Sequence, residues 1–197
     1  MTDLPPLKPF VKMSAPSVEA IVPSCDLSPE AQALPRAAPP EQYVAALLVA
    51  GLTPDAVRFL SQALPKREGV WWACLAARAA SEAATPRPID LEALSAAETW
   101  VFKPTEEHRR AAMDRAQAAE FSSPQAWAAV AAFWSGGSMA PPGQPVVPPA
   151  PHLAGRAISG AVMLAAAQGE ATLAPKRYAR LIAQGMDIAS GGNGKMA

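Results

Sequence analysis

Histidine, cysteine and base-activated serine carry most acid–base, metal and nucleophilic chemistry. The chain holds two histidines, His108 and His152. His108 sits in EEHRR, where Glu106 and Arg110 stand at i,i+4 and two acids meet a helix start. That is the pattern of a solvated first turn. His152 closes a proline-rich run and is expected near a helix start. No CxxC, HxxxH or HExxH spacing occurs, and zinc needs three or four ligands close together, so neither a metal nor a cofactor is expected. Cys25 and Cys74 are too few for a disulfide framework and are expected as reduced thiols in the cytoplasm. Cys74 lies in WWACLAARAA, where a thiol packs rather than reacts. Neither GxSxG nor GxGxxG is present. SGGS at 135–138 lacks the lysine and hydroxyl residue of a phosphate loop and reads as a helix C-cap. GGNGK at 191–195 reads as part of a flexible tail.

One stripe mixes tryptophan with charge. Trp71, Leu75, Arg78 and Glu82 fall at i, i+4, i+7 and i+11, and Glu68 stands a turn before Trp71 and Trp72. A core tryptophan beside a half-buried arginine would give this pattern. So would the aromatic wall and charged anchor of an interface. The helical spacing of Trp127, Val130 and Trp134 favours core packing, as does the setting of Trp100. The expected partner-binding surface comprises Trp71, Trp72, Arg78 and Trp134, with Pro141, Pro142, Val146 and Val147 from the proline-rich loop. No catalytic residue is assigned. The alternatives are a small helical enzyme using Glu68 and Arg78, which a deep polar pocket holding both would mark, and an immunity protein.

The elements that must position these groups are helices. Alanine supplies 45 of 197 residues and proline 22, the best helix former and the strongest helix stop. The expected fold is all-α: one bundle of about eight helices, or stacked helical hairpins, over residues 40–190. Helices are expected from Pro40 to Gly51, from Thr53 (as N-cap) to Leu64, from Pro65 to about Ala83, and from Thr85 or Asp90 through Phe102. Four more start at Pro104–Glu107, at Ser122–Pro124, near Pro151 and at Ala174–Pro175. Residues 1–39 are expected to form a largely extended or disordered proline-rich tail, or a strap along the domain, with VEAIV (18–22) as one short extended stretch. Residues 191–197 are expected as a flexible tail. The loop 138–152 has six prolines, and Val146 and Val147 are expected to pin it to the body. Small residues at Ala154, Gly155, Ser159, Gly160 and Ala161 suggest a central helix, so that Gly160→Leu should overpack it at a cost of a few kcal/mol.

Formal charge is zero, which argues against a nucleic-acid partner and leaves a protein partner as the expectation. The most apolar run, Leu153 to Ala167, is broken by Arg156 and falls short of the roughly 20 residues a bilayer needs. The N-terminal sequence MTDLPPLKPF has no basic-then-apolar leader and no twin arginine, so a cytoplasmic location is expected.

Four strings, LPKREGVWWACLAARAA, ETWVFKPTEEHRRAAMDRAQAA, SPQAWAAVAAFWSGGSMAPP and PPAPHLAGRAISGAVMLAA, resemble a bacterial all-helical family of unknown function. Its members are often encoded near type VI secretion genes, and some carry the label "twin-arginine translocation pathway signal". The likeness spans about residues 41–192. It implies a cytosolic accessory role in loading or folding a secreted effector, and it implies no catalytic residues.

Overall fold

The structure, a computed structural model, describes residues 7–195. All eight long helices expected from the sequence are present: α3 (Pro40–Val49), α4 (Thr53–Ala63), α5 (Lys66–Ala83), α6 (Pro88–Phe102), α7 (Glu106–Ala118), α8 (Pro124–Trp134), α9 (Leu153–Ala167) and α10 (Ala174–Ala189). Two single-turn helices precede them, α1 (Val18–Ile21) and α2 (Pro29–Gln32). Prolines at or near the first helical position set most of these starts, and the side chains of Thr105 and Ser123 accept from the third residue onward at α7 and α8. Thr53 differs from expectation: it is the first helical residue, and Leu52 precedes it with no side-chain cap.

Helix α9 is central, packing against α8, α5, α4 and α10. Helices α6, α7 and α8 form a mutually packed trio, which α8 joins directly to α9, with α5 packed against α6, α8 and α9. These pairings between helices distant in sequence make a bundle rather than a regular stack of hairpins. Alanine allows it. Ala126, Ala128, Ala129, Ala131 and Ala132 of α8 are all fully buried, so this helix sits close to its neighbours on several sides. The tight glycine of α9 is Gly155, not Gly160. A Cβ at Gly155 would collide with the Gln62 side chain, whereas one at Gly160 would rest 3.8 Å from the Trp127 ring. A Cβ alone therefore fits at 160 without displacing a neighbour, whereas at 155 it must push aside the flexible end of Gln62.

Trp72 is fully buried, and its Nε1 donates to the Leu181 carbonyl on α10 at 2.7 Å. A Cβ on Gly185, one turn later on α10, would meet the indole at 2.9 Å. The ring thus occupies a slot that only glycine leaves open.

Residues 7–39, expected as a largely extended tail, form a strap packed on the domain. Val18, Ile21 and Val22 have helical spacing, and all three are buried, with Leu27 and Ala31. VEAIV is therefore a helical turn, capped by Ser17, rather than an extended stretch. Helix ends leave carbonyls without partners, and the strap supplies them with donors. The Val11 and Lys12 amides donate to the Ala189 carbonyl, and the Ser14 amide to that of Ala63, the last residues of α10 and α4. At the other end of α4, buried Asp55 accepts from the Ser28 amide at 2.9 Å and its hydroxyl at 3.0 Å. The Tyr43 hydroxyl donates to the Ala31 carbonyl at 2.9 Å.

The described part of the C-terminal segment is docked as well. The Gly194 amide donates to Asp187, and the Trp71 indole donates to the Asn193 carbonyl at 2.8 Å. Gly194 takes φ +72° and is buried, where a Cβ would lie 2.7 Å from Leu75. Residues 1–6 and 196–197 of the expected tails lie outside the described residues.

Candidate interaction site

The proline loop after α8 rests on one arginine. Arg109 lies in the first turn of α7, within the EEHRR run expected to be solvated, yet it is 3% exposed. A buried guanidinium must find acceptors for its five donors. It donates to both Glu106 oxygens at 2.7 and 2.8 Å, to the Phe133 carbonyl at 2.6 Å and to the Ser138 carbonyl at 2.7 Å. Its face lies 4.3 Å from the Phe133 ring centroid. Arg110 pairs with Glu106 as expected and also reaches the carbonyls of Ser138 and Ala140. Hydrogen bonds from Arg109, ahead of its charge, hold the Glu106 carboxyl below the usual carboxylate range. Gly137 turns the chain at φ +65°, and a Cβ there would meet Arg109 Nε at 2.6 Å. SGGS is thus both a helix end and the seat of this clamp.

Beyond the clamp the loop closes on itself. The Ser138 hydroxyl accepts from the Ala140 amide at 3.1 Å and the Val147 amide at 3.0 Å, and the Met139 amide donates to the Val147 carbonyl at 2.7 Å. Gly143, at φ +82°, makes the reversal at the tip. Residues 145–150 then run without helix or strand. Val147, Pro148 and Ala150 each precede a proline, which restricts them to extended conformations. Pro142, Pro145, Pro148 and Pro151 recur every third residue, the period of a polyproline helix. That period was available in the sequence and was missed.

Pro141, Pro142, Val146 and Val147 are all exposed, Val146 to 75% and Val147 to 46%. The expectation that the two valines pin the loop to the body fails. Its pins are polar and sit at its base, where the Val147 backbone bonds to Ser138 and Met139 while both valine side chains face outward.

The other residues selected from the sequence do not join this loop into one surface. Trp72 belongs to the core and offers no surface. Trp71, one residue away, is half-buried on the α5–α6 seam, edge-on to Phe102 at 6.1 Å, and Phe102 is 73% exposed. Arg78 lies on the same seam and grips both oxygens of Glu98 at 2.5 and 2.6 Å. Glu98, not Glu68, is therefore the carboxylate paired with Arg78. Hydrogen bonding to the Glu98 carboxylate raises the Arg78 pKa above its ordinary value. Trp134 is half-buried on α8, edge-on to Trp127 at 6.4 Å. His108 Nδ1 donates to the Lys103 carbonyl at 2.8 Å, and the His152 carbonyl accepts from Gln62. Burial pushes the Cys25 thiol up to about 12 and raises that of Cys74 as well, so both stay protonated at neutral pH. Among the described residues no three His, Cys, Asp or Glu side chains cluster as a metal site, and no helix is long and apolar enough to cross a membrane.

No curated protein and no solved structure matches this chain. One family model does, over residues 43–189, an interval that includes the clamp, the loop and both tryptophan pairs. That interval is most of the chain, and the protein belongs to the family of unknown function DUF6931.

Proposed function

We propose that the protein is a non-enzymatic interaction protein that offers the 138–152 loop to a protein partner. The observation that carries this reading is the combination of a clamped base with exposed apolar side chains, Val146 and Val147, on the returning limb of the loop. A segment ordered before binding loses little entropy on docking. Exposed Val146 and Val147 supply apolar area to bury, and the loop's prolines give an extended edge suited to an aromatic-lined groove. Balanced charge suits a protein partner better than nucleic acid.

The resemblance to proteins encoded near type VI secretion genes supplies the finer reading. On it, the protein is a cytoplasmic adaptor or chaperone-like accessory, and its partner is a secreted effector or a secretion component. A photo-crosslinking residue at position 146, used in the native host, tests both levels. The reading expects a crosslink to the effector, lost in the Val147→Asp variant, and reduced effector secretion when the gene is deleted. No effector crosslink, with the effector stable and secreted in the deletion strain, would refute it.

A further inference from the structure

A second site lies away from the loop, where the C-terminal ends of α5 and α9 meet the start of α10. A cavity of about 310 Å³ opens there, lined by Ala79 and Ala83 of α5, Ala165 of α9, Leu173, and Leu181 of α10. It exists because three alanines stand where larger side chains would fill the gap. Its mouth carries Lys176, Arg177 and Arg180 against one acid, Glu82.

These cations are not equivalent. Arg177 is committed to the end of α9, donating to the carbonyls of Ala166, Gln168 and Glu170. Arg180 touches Glu82 at 3.2 Å, but both side chains are more than half exposed. An exposed pair of this kind is worth little and yields to a competing anion. Lys176 makes no ion pair among the described residues and stands one turn from Arg180 on the same face. An apolar chamber with two available cations at its lip matches one ligand chemistry: an alkyl chain ending in an anionic head. The volume is at the small end for ligand pockets, which suits a single chain.

We propose that this cavity binds a single-chain anionic amphiphile, with the chain against Ala79, Ala83, Ala165 and Leu181 and the head between Lys176 and Arg180. Decanoate, decanol and decyltrimethylammonium share one chain and differ in head charge. Calorimetric titration of the full-length protein, below micelle concentrations, should show one decanoate per chain, bound about tenfold more tightly than decanol, with the cation weakest. The double variant Lys176→Glu, Arg180→Glu should erase that preference, and Glu82→Gln should strengthen decanoate binding. Ala79→Leu fills the chamber without altering charge and should weaken decanoate by about tenfold; Ala83→Leu repeats the test should the first variant not fold. Equal affinity for all three probes, absence of binding, or indifference to both filling variants would overturn the proposal. So would full competition by acetate, which has the head alone, or retention of the protein on phosphatidylglycerol vesicles, which would make the face a membrane contact.

Discussion

Two proline-rich segments of similar composition meet opposite fates. The strap at 7–39 lies down, with Val18, Ile21, Val22 and Leu27 buried and its amides closing the ends of α4 and α10. The loop at 138–152 stands up, with Val146 and Val147 exposed and its attachment confined to the base. Proline content does not decide the matter. Apolar spacing does. Valine and isoleucine at 18, 21 and 22 share one helical face, whereas Val146 and Val147 are adjacent and flanked by prolines, so they cannot gather on one helical face. The strap also lies wholly outside the interval shared with the family, and the loop lies within it.

Mutations should separate the two segments. The largest effect is expected at the clamp. Arg109→Ala strands the Phe133 carbonyl, leaves the Ser138 carbonyl only its longer bond from Arg110 and removes a buried charged group, so it should cost about 3 kcal/mol in chemical denaturation and expose the loop to proteolysis. Where α4 holds the strap, Asp55→Ala removes both bonds from Ser28 and should cost about 2 kcal/mol while leaving the loop intact. A matched pair sharpens the contrast further. Val18→Ala should cost about 2 kcal/mol, and Val146→Ala less than about 0.5 kcal/mol, by thermal melting.

Acid should release the loop selectively. The Glu106 carboxyl is held below its ordinary value in the folded state, so its contribution is complete above the unfolded carboxylate pKa of about 4.3 and fades as pH falls through the lower folded value. Hydrogen exchange in the loop should rise across that acidic range, and Glu106→Gln should flatten the dependence. Asp90, lowered chiefly by hydrogen bonds from Arg87, contributes to overall stability with the same sign. A small effect is also expected at Gly160. Gly160→Ala should change stability by less than about 1 kcal/mol, because its Cβ rests at ordinary contact distance and alanine favours the helix.

Local signals were legible in the sequence, and distant partnerships were not. Prolines, caps and periodicity marked all eight long helices because those signals act within a turn or two. Trp71 and Trp72 could have been separated. Ala76 and Ala80 follow Trp72 at i+4 and i+8 and mark the tightly packed face, whereas Arg78 and Glu82 follow Trp71 and mark the outer one. Gly155 and Gly160 could not be ranked, because the Gln62 side chain that a Cβ at 155 would have to displace comes from another helix. Arg109 was hidden for the same reason. Its i,i+4 neighbourhood announces a solvated turn, while its deciding acceptors, Phe133 and Ser138, lie beyond the next helix start. The loop's period of three is a local signal and stands in the sequence itself, at Pro142, Pro145, Pro148 and Pro151.

The account rests on an arginine clamp holding an outward proline loop in one conformation. Hydrogen exchange at the Met139 and Val147 amides tests this most directly, since both are bonded only inside the clamped loop. The account predicts protection at both positions near neutral pH, lost in Arg109→Lys while the α8 and α9 amides stay protected. Exchange at those two positions as fast as in an unstructured peptide, or protection unaffected by the substitution, would contradict it.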